Sequence, residues 1–331
     1  MERGKNFALV GAAGYIAPRH MRAIRDTGNR LLLACDPKES VGLLDSFAPD
    51  ALFFTEFECF EDHGHRLRRQ CRGLDYLSIC SPNHLHQAHV AAGLRLGCDV
   101  ICEKPLVLDC AGLEELADLE AASGRRINTI LQLRLHPAIL ELRRSLAARG
   151  PRAGRGAGGR HEVELTYITS RGQWYSQSWK ADPRKSGGLA MNIGVHFFDM
   201  LHFLFGEKLS SELHLSEPTR MAGYLEYERA RVRWFLSIDA QDLPPQQAGG
   251  ARTYRSITLD SQAIEFSGGF TDLHNESYAR VLAGEGFSIA EVRPAIETVE
   301  TISRSHPRVA EPERQHPLLR RPRAISEAVP A

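Results

Sequence analysis

The sequence has no excess of charge of either sign. Lysines and arginines together number 41, as do aspartates and glutamates, so the formal net charge over 331 residues is zero. A protein without a broad positive field does not attract nucleic acid or an anionic membrane surface. We therefore expect no nucleic acid and no membrane as partners, and an anionic ligand would have to be bound by locally placed cations.

Long apolar runs are also missing. Charges or glycines interrupt every hydrophobic stretch before it reaches the roughly 20 residues that a transmembrane helix needs. The N-terminal residues run directly into a strand-like segment and a glycine turn, without the apolar core and cleavage site of a signal peptide. The sequence thus predicts a cytoplasmic protein.

Motifs that indicate disulfides or a metal site are absent as well. The seven cysteines form no C-x-x-C pair, and an odd number in a reducing compartment favours free thiols. The 14 histidines include no H-x-x-x-H cluster with nearby carboxylates. We expect no bound metal.

Up to about residue 134 the chain alternates short apolar runs with helical patterns. The strand-like runs are Asn6–Gly11, Arg30–Cys35, Leu74–Cys80, Asp99–Glu103 and Ile127–Leu133. Between them, apolar residues recur at a spacing near 3.6, the period of an α-helix. Near-continuous apolar strands joined by helices are typical of a parallel sheet covered on both faces. We predict a doubly wound α/β Rossmann domain over residues 1–135.

The pattern changes in the second half of the chain. Strands are predicted at Glu162–Thr169, Arg231–Ile238, Arg255–Leu259 and Gln262–Phe266, and helices at Ala190–Phe205 and Ile289–Arg304. Residues 136–306 are therefore predicted to form an α+β domain with one open, mostly antiparallel sheet. An open sheet face needs a partner, so we expect a homodimer or homotetramer. Residues 307–331, rich in proline and arginine, predict a loose C-terminal tail.

The first strand leads into a glycine turn that resembles a dinucleotide-binding motif. The candidate contacts there are Gly11, Ala13, Gly14, Tyr15 and Ile16. Glycines let backbone amides approach a pyrophosphate at the helix N-terminus. The second strand ends at Asp36, about 20 residues further on, where a carboxylate binds ribose hydroxyls and repels the extra phosphate of NADP. NAD is the expected cofactor. The alternative for Asp36 is that it only caps the following turn.

Polar residues also follow the strand that ends at Cys80. Ser81, Asn83 and His86 come at the carboxyl edge of the predicted sheet, where ligands bind in such folds. Each is a candidate for contact with the cofactor. The alternatives are helix caps for Ser81 and Asn83 and a surface position for His86.

Two motifs together resemble the glucose-fructose oxidoreductase / inositol dehydrogenase / MocA superfamily. The first is Glu103-Lys104-Pro105, after S-P-N-x-x-H, and the second is the run GGLAMNIGVHFFD that contains His196. The resemblance covers nearly the whole chain and implies that Lys104 and His196 are the catalytic residues. It also makes Glu103, Lys104 and Gln132 candidates for contact with NAD.

The chemistry of Lys104 and His196 suits the oxidation of a hydroxyl. Hydride leaves a carbinol carbon only as the hydroxyl proton is removed, so a base must lie within hydrogen-bond reach. We favour His196 as that base with Lys104 polarising the oxygen, and the reverse assignment stays open. Superfamily members often have Asp four residues before the histidine. Asn192 occupies this place here, where it can orient a hydroxyl but not take its proton.

Other residues are candidates for substrate binding besides Lys104, Asn192 and His196. Trp179 and Lys180 combine an aromatic face with a cation, which suits a nucleotide sugar, and ordinary packing beneath a loop is the alternative. Arg134, which ends the last Rossmann strand, is a candidate for lining the cleft or binding an acidic cosubstrate. Tyr254 and Arg255, and the run Thr271-Asp272-Leu273-His274, are candidates for holding the uridine diphosphate, and a neighbouring subunit could supply either group.

Several runs, among them GAAGYIAPRHMRAI and WYSQSWKADPRKSGGLAMNIGVHFFD, are similar to the WlbA/WbpB group of this superfamily. The resemblance implies that the substrate is UDP-N-acetyl-2-amino-2-deoxyglucuronate (UDP-GlcNAcA). NAD would oxidise its C3 hydroxyl to a 3-keto sugar in bacterial surface-polysaccharide (O-antigen) synthesis. In some relatives 2-oxoglutarate re-oxidises the NADH, and it is a candidate cosubstrate here. The alternatives are a dehydrogenase for another sugar or inositol, and an NAD-sensing regulator without turnover.

Overall fold

The computed structural model describes residues 4–39, 41–149, 154, 156–244, 252–265 and 272–320. These residues form two six-stranded sheets with helices packed against them. The first sheet is parallel, and the second is mostly antiparallel. The predicted fold class, a Rossmann domain followed by an α+β domain with one sheet, is confirmed.

The first sheet has the strand order of a dinucleotide-binding domain. Its strands are β1 (Asn6–Val10), β2 (Arg30–Cys35), β3 (Leu52–Phe54), β4 (Tyr76–Ile79), β5 (Asp99–Cys102) and β6 (Ile127–Thr129). They lie side by side in the order β3-β2-β1-β4-β5-β6, and all neighbours are parallel. The chain order reverses between β1 and β4, and ligands of such sheets bind beyond the carboxyl ends of the strands at that point.

Helices cover both faces of this sheet. They are α1 (Ala17–Asp26), α2 (Leu44–Phe47), α3 (Phe57–Arg69), α4 (His86–Leu96) and α5 (Cys110–Ser123). Side chains of β1 alternate between the two faces of the sheet. Phe7 packs in one apolar cluster with Met21 of α1, and Val10 packs in another with Val90 of α4. The period-two alternation of the strand therefore joins both helical layers to the sheet.

The second sheet packs one face against two helices. Its strands are β7 (His161–Thr169), β8 (Lys208–Ser216), β9 (Arg220–Tyr227), β10 (Ala230–Ser237), β11 (Thr253–Leu259) and β12 (Gln262–Ile264). Their order is β12-β11-β7-β10-β9-β8, with β7 and β10 parallel. On the inner face, the ring of Trp234 in β10 lies 5.4 Å from that of Phe198 in α8 (Val195–Phe205). The second covering helix is α10 (Ile289–Arg304), and α6 (Pro137–Arg149) and α7 (Pro183–Ser186) precede α8.

One helix of the C-terminal half belongs to the first core. α9 (Leu273–Leu282) packs along α1, and the ring of Tyr278 lies 5.8 Å from that of Phe7 in β1. Further on, Phe287 pairs with Thr129 at the end of β6. The predicted boundary at residue 135 thus separates the two sheets, but the chain returns to the Rossmann half afterwards.

The segment after α10 lies on the outer face of the second sheet. His316 is 0% exposed, its Nε2 lies 3.1 Å from Oγ1 of Thr166, and its ring stacks on Phe235 at 5.5 Å. Leu318 packs against the same apolar patch. The expectation of a loose tail is corrected for residues 307–320, because a buried imidazole and a leucine anchor them. Residues 321–331 lie outside the described part.

One helical stretch, Pro183–Phe205, is long and apolar enough to cross a membrane by length and composition alone. Of its apolar window, 72% is buried inside the protein, where α8 covers the second sheet. A core helix of a soluble protein passes the same test, so this stretch is weak evidence for a membrane span.

Candidate active site

The glycine turn after β1 closes tightly against the end of β4. Gly11 has a φ of +88°, and a Cβ built on it would lie 2.5 Å from the carbonyl carbon of Cys80. Both the backbone conformation and the space therefore exclude a side chain. The N–H of Gly11 donates to the carbonyl of Cys35 at 2.8 Å. No described side chain caps α1, and Tyr15 beside its start is 86% exposed, so this end suits an anionic group.

Asp36, at the end of β2, holds this turn through a hydrogen bond to its backbone. Its Oδ2 accepts the backbone N–H of Ala13 at 3.0 Å, and its Oδ1 accepts that of Lys38 at 2.9 Å. The carboxylate therefore caps its own turn, as the alternative interpretation predicts, and also fixes the glycine turn. Its contact with a ribose stays a prediction, as do the NAD contacts of Gly11, Ala13, Gly14, Tyr15 and Ile16.

Ser81 and Asn83 hold the loop after β4. Ser81 Oγ lies 2.8 Å from Nδ1 of His89, and Nδ2 of Asn83 donates to the carbonyl of Ser186 at 2.9 Å. Asn83 thereby links the Rossmann half to the segment that precedes α8. Both residues are buried, so their contact with NAD stays a prediction.

His86 is a structural residue in this geometry. It is 1% exposed, and its ring nitrogens lie 2.6 Å from the Pro105 carbonyl oxygen and 2.8 Å from that of Ser81. The imidazole thus ties the loop after β4 to the loop after β5. The predicted contact with the cofactor is corrected, because both ring nitrogens already face backbone carbonyls.

Lys104 follows β5 and reaches the helical segment of the C-terminal half. Its Nζ donates to the backbone carbonyl of Asn192 at 3.1 Å. Burial lowers the pKa of Lys104 to about 8, with the positive charges of Lys180 and Arg171 acting in the same direction and the Glu103 carboxylate opposing them. The amine therefore exchanges its proton much closer to neutral pH than a free lysine does.

His196 lies at the start of α8, directly after a π-helical segment, Ala190–Gly194. Burial, followed by the positive charge of Lys104, holds the pKa of His196 well below its usual range. The imidazole is therefore neutral at neutral pH, which is the form that accepts a proton. The structure brings the amine and the imidazole, predicted from two remote motifs, to the same edge of the Rossmann sheet.

The side chain of Asn192 is held at both ends of its amide. Its Oδ1 accepts from Nδ2 of Asn83 at 3.4 Å, and its Nδ2 donates to the hydroxyl of Tyr175 at 3.1 Å. Tyr175 is 7% exposed and is absent from the predicted binding residues. Its place in an aromatic run before Gly187-Gly188 is the signal in the sequence that could have included it.

Glu103 lies in a buried cluster beneath Lys104. One carboxylate oxygen, Oε1, lies 3.0 Å from Nε2 of His20 and 3.0 Å from Nε2 of His274. Nδ1 of His20 is 2.8 Å from the Tyr278 hydroxyl, which in turn lies 2.7 Å from Oγ of Ser78. We name Glu103, His20 and His274 the carboxylate clamp. His20 is absent from the predicted site residues, whereas His274 belongs to a run predicted to hold the uridine diphosphate and instead contacts Glu103. Thr271 of that run lies outside the described residues.

Hydrogen bonds keep the carboxylate of the clamp ionised. Burial by itself would raise the pKa of Glu103, but the hydrogen bonds from His20 and His274 hold it well below its ordinary value. The three ligand-type atoms also lie within 4.8 Å of one another, a spacing that a cation could bridge. The hydrogen bonds account for that spacing without an ion, because each imidazole has a carboxylate acceptor.

Trp174, Trp179 and Lys180 form a cationic aromatic group at the cleft. Nζ of Lys180 lies 5.6 Å from the ring centre of Trp174 and 5.7 Å from that of Trp179. Burial, and then the charge of Arg171, lower the pKa of Lys180. The structure thus brings the predicted pair Trp179 and Lys180 together. The charges of Lys180 and Arg171 reach Lys104, so the group borders the same site.

Tyr254 and Arg255 point to opposite faces of the second sheet. Tyr254 packs in the outer cluster with Ile168, whereas the Arg255 guanidinium lies 5.6 Å from the ring of Tyr167 on the inner face. The positive charge of Arg255 also lowers the pKa of His196, so it faces the site. Because neighbouring residues in a strand alternate between faces, Tyr254 does not face the site of its own subunit, and its substrate contact stays a prediction for the site of a neighbouring subunit.

Arg134 is held by the carboxylate of Asp199 and the backbone of Glu291. The residue is 5% exposed, and its guanidinium donates to Asp199 Oδ1 at 2.7 Å and to the Glu291 backbone carbonyl at 2.8 Å. The expectation that Arg134 binds substrate is corrected, because its guanidinium N–H groups already donate to these partners. Gln132, partly buried at the start of the same 3-10 turn after β6, keeps its NAD contact as a prediction.

Comparison with known proteins decides the family. Residues 5–130 match the model of an oxidoreductase family described as an NAD-binding Rossmann fold, and residues 160–241 match the C-terminal alpha/beta domain of the same family. The chain belongs to this family, the glucose-fructose oxidoreductase / inositol dehydrogenase / MocA oxidoreductases. The resemblance stated from the motifs is therefore confirmed, and the chain is an NAD-binding oxidoreductase.

The chain is also similar to solved structures of the WlbA (WbpB) dehydrogenase from Thermus thermophilus. One, in complex with NAD and UDP-GlcNAcA, is 50% identical with a TM-score of 0.89, over 95% of this chain and 99% of that chain. A second, with NAD and alpha-ketoglutarate, is 51% identical over the same shares. Among curated proteins, inositol 2-dehydrogenase from Rhizobium meliloti is 25% identical over 61% of this chain, and the match spans about half of that relative, 55%.

The residues at the sheet edge fit the NAD that the family binds. Gly11 leaves no room for a side chain against Cys80, and the adjoining start of α1 has no described side-chain cap. These features supply the close backbone approach and the helix N-terminus that a pyrophosphate needs. Asp36, held at the end of β2, stays the predicted partner of the adenosine ribose.

Proposed function

We propose that the chain oxidises the C3 hydroxyl of the sugar in UDP-GlcNAcA to a ketone, with NAD as acceptor, in bacterial O-antigen synthesis. The observation that carries the proposal is the meeting of Lys104 with the segment of His196, with Nζ 3.1 Å from the Asn192 carbonyl. An amine and an imidazole at one site suit the removal of a hydroxyl proton. The half-identical Thermus dehydrogenase, solved with NAD and UDP-GlcNAcA, supports the choice of substrate.

In this mechanism His196 accepts the hydroxyl proton. Its buried imidazole is neutral at neutral pH and has a free acceptor in one of its tautomers. Lys104, with a pKa of about 8, is then mostly an ammonium and stabilises the negative charge that develops on the oxygen. NAD, when bound, would supply the acceptor for the hydride of the carbinol carbon. The amide of Asn192, fixed at both ends, orients the sugar.

The reverse assignment makes a different prediction about pH. If Lys104 were the base, activity would rise as its pKa of about 8 is passed, because the free amine would be the active form. With His196 as the base and Lys104 as the ammonium, activity falls there instead. The direction of the pH profile near this value therefore decides between the two assignments.

The charges around the site suit an anionic substrate. Lys180 and Arg171 act on Lys104, and Arg255 acts on His196, so three cations border the place of the reaction. We assign Lys180 to the sugar carboxylate and Arg255 to the diphosphate. The ring of Trp179 offers an apolar face to the sugar, next to the ammonium of Lys180.

We infer that 2-oxoglutarate uses the same site after the keto sugar leaves. It is a dicarboxylate, so the same cations suit it, and its ketone would take back the hydride while His196 returns the proton. The products are 2-hydroxyglutarate and NAD, which leaves the enzyme ready for the next sugar. The Thermus structure with NAD and alpha-ketoglutarate supports this second half-reaction.

Turnover of defined substrates tests the proposal. Purified protein with UDP-GlcNAcA, NAD and 2-oxoglutarate should yield a 3-keto sugar and 2-hydroxyglutarate by mass spectrometry. UDP-N-acetylglucosamine, which lacks the carboxylate, should react much more slowly. Turnover of inositol or a free sugar but of no UDP-sugar would contradict the substrate assignment. NAD binding without turnover of any of them would favour the NAD-sensing regulator.

We also propose that the chain forms a homodimer or homotetramer through the outer face of the second sheet. The segment 307–320 covers part of this face, and another part carries charged pairs such as Arg231–Glu226 and Arg233–Glu164. These charges can pair with a second copy of the same face. Light scattering of the purified protein tests the assembly, and a monomer at micromolar concentration would contradict it.

A further inference from the structure

The carboxylate clamp lies directly behind Lys104 and has no part in the mechanism proposed so far. We propose that Glu103, held by His20 and His274, is a positioning residue that fixes the backbone of Lys104 and supplies a negative charge beside the cations of the site. The kinetic part of this inference rests on the proposed function. The electrostatic part does not, because it is measured on the protein alone.

The geometry of the clamp fixes the carboxylate completely. Oε1 of Glu103 accepts from two imidazoles at 3.0 Å each, and Oε2 accepts the backbone N–H of Lys104 at 3.3 Å. The imidazoles belong to α1 and α9, two helices that pack along each other. Three donors from three parts of the chain leave one orientation for the side chain, and that orientation is tied to Lys104.

The donor that α1 contributes to the clamp, His20, is a neutral group. Ser78 can donate to the Tyr278 hydroxyl, which donates to Nδ1 of His20, and this places the single proton of a neutral imidazole on Nε2, facing Glu103. Burial lowers the pKa of His20, which favours this neutral form. His20 therefore satisfies the carboxylate without cancelling its charge.

The groups that face the two reacting side chains are mostly positive. Glu103, Lys180 and Arg171 act on the pKa of Lys104. The groups that act on the pKa of His196 are Lys104, Glu103, Arg255 and His274. Among these groups Glu103 carries the negative charge, and it raises the pKa of both Lys104 and His196. Without it, Lys104 would lose its proton at a lower pH, and a smaller share of it would be the ammonium that polarises the substrate oxygen at neutral pH.

Titration of Lys104 by NMR tests the electrostatic role without any substrate. Protein labelled with ¹³C at the lysine ε-carbon gives few signals, because the lysines of the chain are Lys5, Lys38, Lys104, Lys180, Lys185 and Lys208. Lys104→Ala assigns the signal of interest. Glu103→Gln should lower the pKa of Lys104 by about one unit, the usual effect of removing a nearby opposite charge.

Variants of the two histidines test the clamp itself. His20→Leu and His274→Leu each remove a donor, so the buried carboxylate is expected to take up a proton, and the pKa of Lys104 should fall as in Glu103→Gln. His20→Gln keeps an N–H near the position of Nε2 and should restore most of the wild-type value. His316→Leu is the matched control, because it removes an equally buried histidine on the outer face of the other sheet.

Kinetics and elemental analysis complete the test. The basic limb of the kcat/KM profile should move with the pKa of Lys104, and kcat at neutral pH should fall roughly tenfold in Glu103→Gln. An unchanged Lys104 titration in folded Glu103→Gln would overturn the inference. Elemental analysis that finds one divalent metal ion per chain, bound at the clamp, would also overturn the inference, because the imidazoles would then bind the ion. A shifted titration in a protein that does not turn over UDP-GlcNAcA would support the clamp and contradict the proposed function.

Discussion

Two buried carboxylates, Glu103 and Asp199, lie beside the two proposed catalytic residues and are held by different kinds of partner. Glu103 accepts hydrogen bonds from two imidazoles, of which His20 is neutral, and its charge acts on its neighbours. Asp199, one helical turn after His196, is paired with the guanidinium of Arg134 at 2.7 Å, so the two charges cancel. The comparison teaches that charge balance, more than burial, separates a carboxylate that tunes chemistry from one that holds the fold.

The Asp199 side of this comparison joins three elements. The Arg134 guanidinium lies 5.2 Å from the rings of both Phe203 and Phe287, and it also donates to the Glu291 backbone. These contacts connect the turn after β6 to α8 and α10. The pair therefore sets where α8, which carries His196, lies against the Rossmann half.

The largest expected effect is that of replacing Lys104, the residue whose pKa Glu103 raises. Lys104→Ala should lower kcat about a thousandfold or more, because it removes the ammonium that stabilises the developing charge. NAD binding, measured by fluorescence or calorimetry, should survive, since the glycine turn and Asp36 are untouched. A fully active Lys104→Ala would remove Lys104 from the mechanism.

The next largest effect concerns stability on the Asp199 side. Arg134→Gln should lower the free energy of unfolding by about 3–5 kcal/mol, because it leaves a buried carboxylate without its countercharge. Urea unfolding measures this difference. The control is Arg144→Gln, which breaks an exposed pair with Glu141 and should change little.

The same variant separates structure from substrate binding. Folded Arg134→Gln should keep a KM for 2-oxoglutarate close to that of the wild type. A raised KM with unchanged stability would restore Arg134 as a residue that binds the acidic cosubstrate, and the contrast between the two carboxylates would fail.

A smaller effect is expected for Lys180, whose positive charge acts on Lys104. Lys180→Met should raise the KM for UDP-GlcNAcA about tenfold, the usual loss for one charge-assisted hydrogen bond. It should change little for UDP-N-acetylglucosamine, which has no carboxylate to bind. Lys185→Met, in the same loop but exposed, is the matched control. Equal losses on both sugars would place Lys180 on the diphosphate instead.

The last expected effect is a dependence of stability on pH, spread over several pH units. Burial lowers the pKa of His20 and His86 from 6.5, and that of His316 to about 3. The unfolded chain then binds more protons below pH 6.5, so stability should fall as the pH decreases, by about 1.4 kcal/mol per pH unit for each such histidine. The contribution of His316 should level off only near its folded pKa.

Urea unfolding at a series of pH values measures this slope. His316→Gln should make the slope shallower without affecting turnover, whereas His20→Gln should change it together with the pH profile of activity. Identical slopes in His316→Gln and the wild type would show that His316 does not remain a neutral buried group on acidification.

Much of the Rossmann half can be predicted from the sequence, because its strands are continuously apolar and its helices have one apolar stripe. The short β3, whose residues are partly exposed, and α3, with only Phe60 and Gly64 buried, lack these patterns and are absent from the predicted elements. β8 is missed for a similar reason, since it mixes polar and apolar residues and has irregular register. β9 is also absent from the predicted elements, although six of its eight residues are buried.

In the candidate site, too, residues in local motifs can be predicted from the sequence, whereas distant partners cannot. Lys104 and His196 can be recognised because their motifs are local, whereas the partners of Glu103 lie 83 and 171 residues away along the chain. His20 does fall on the buried stripe of α1 with Ala17, Met21 and Ile24, which is a signal for a buried role. The pairing of Arg134 with Asp199, 65 residues later, has no local signal at all.

The most direct test of the central claim is a crystal structure of the protein with NAD and UDP-GlcNAcA bound. The account predicts that the C3 hydroxyl of the sugar lies about 2.6–3.2 Å from both Nζ of Lys104 and a ring nitrogen of His196. A sugar bound with its C3 hydroxyl out of reach of both side chains would contradict it.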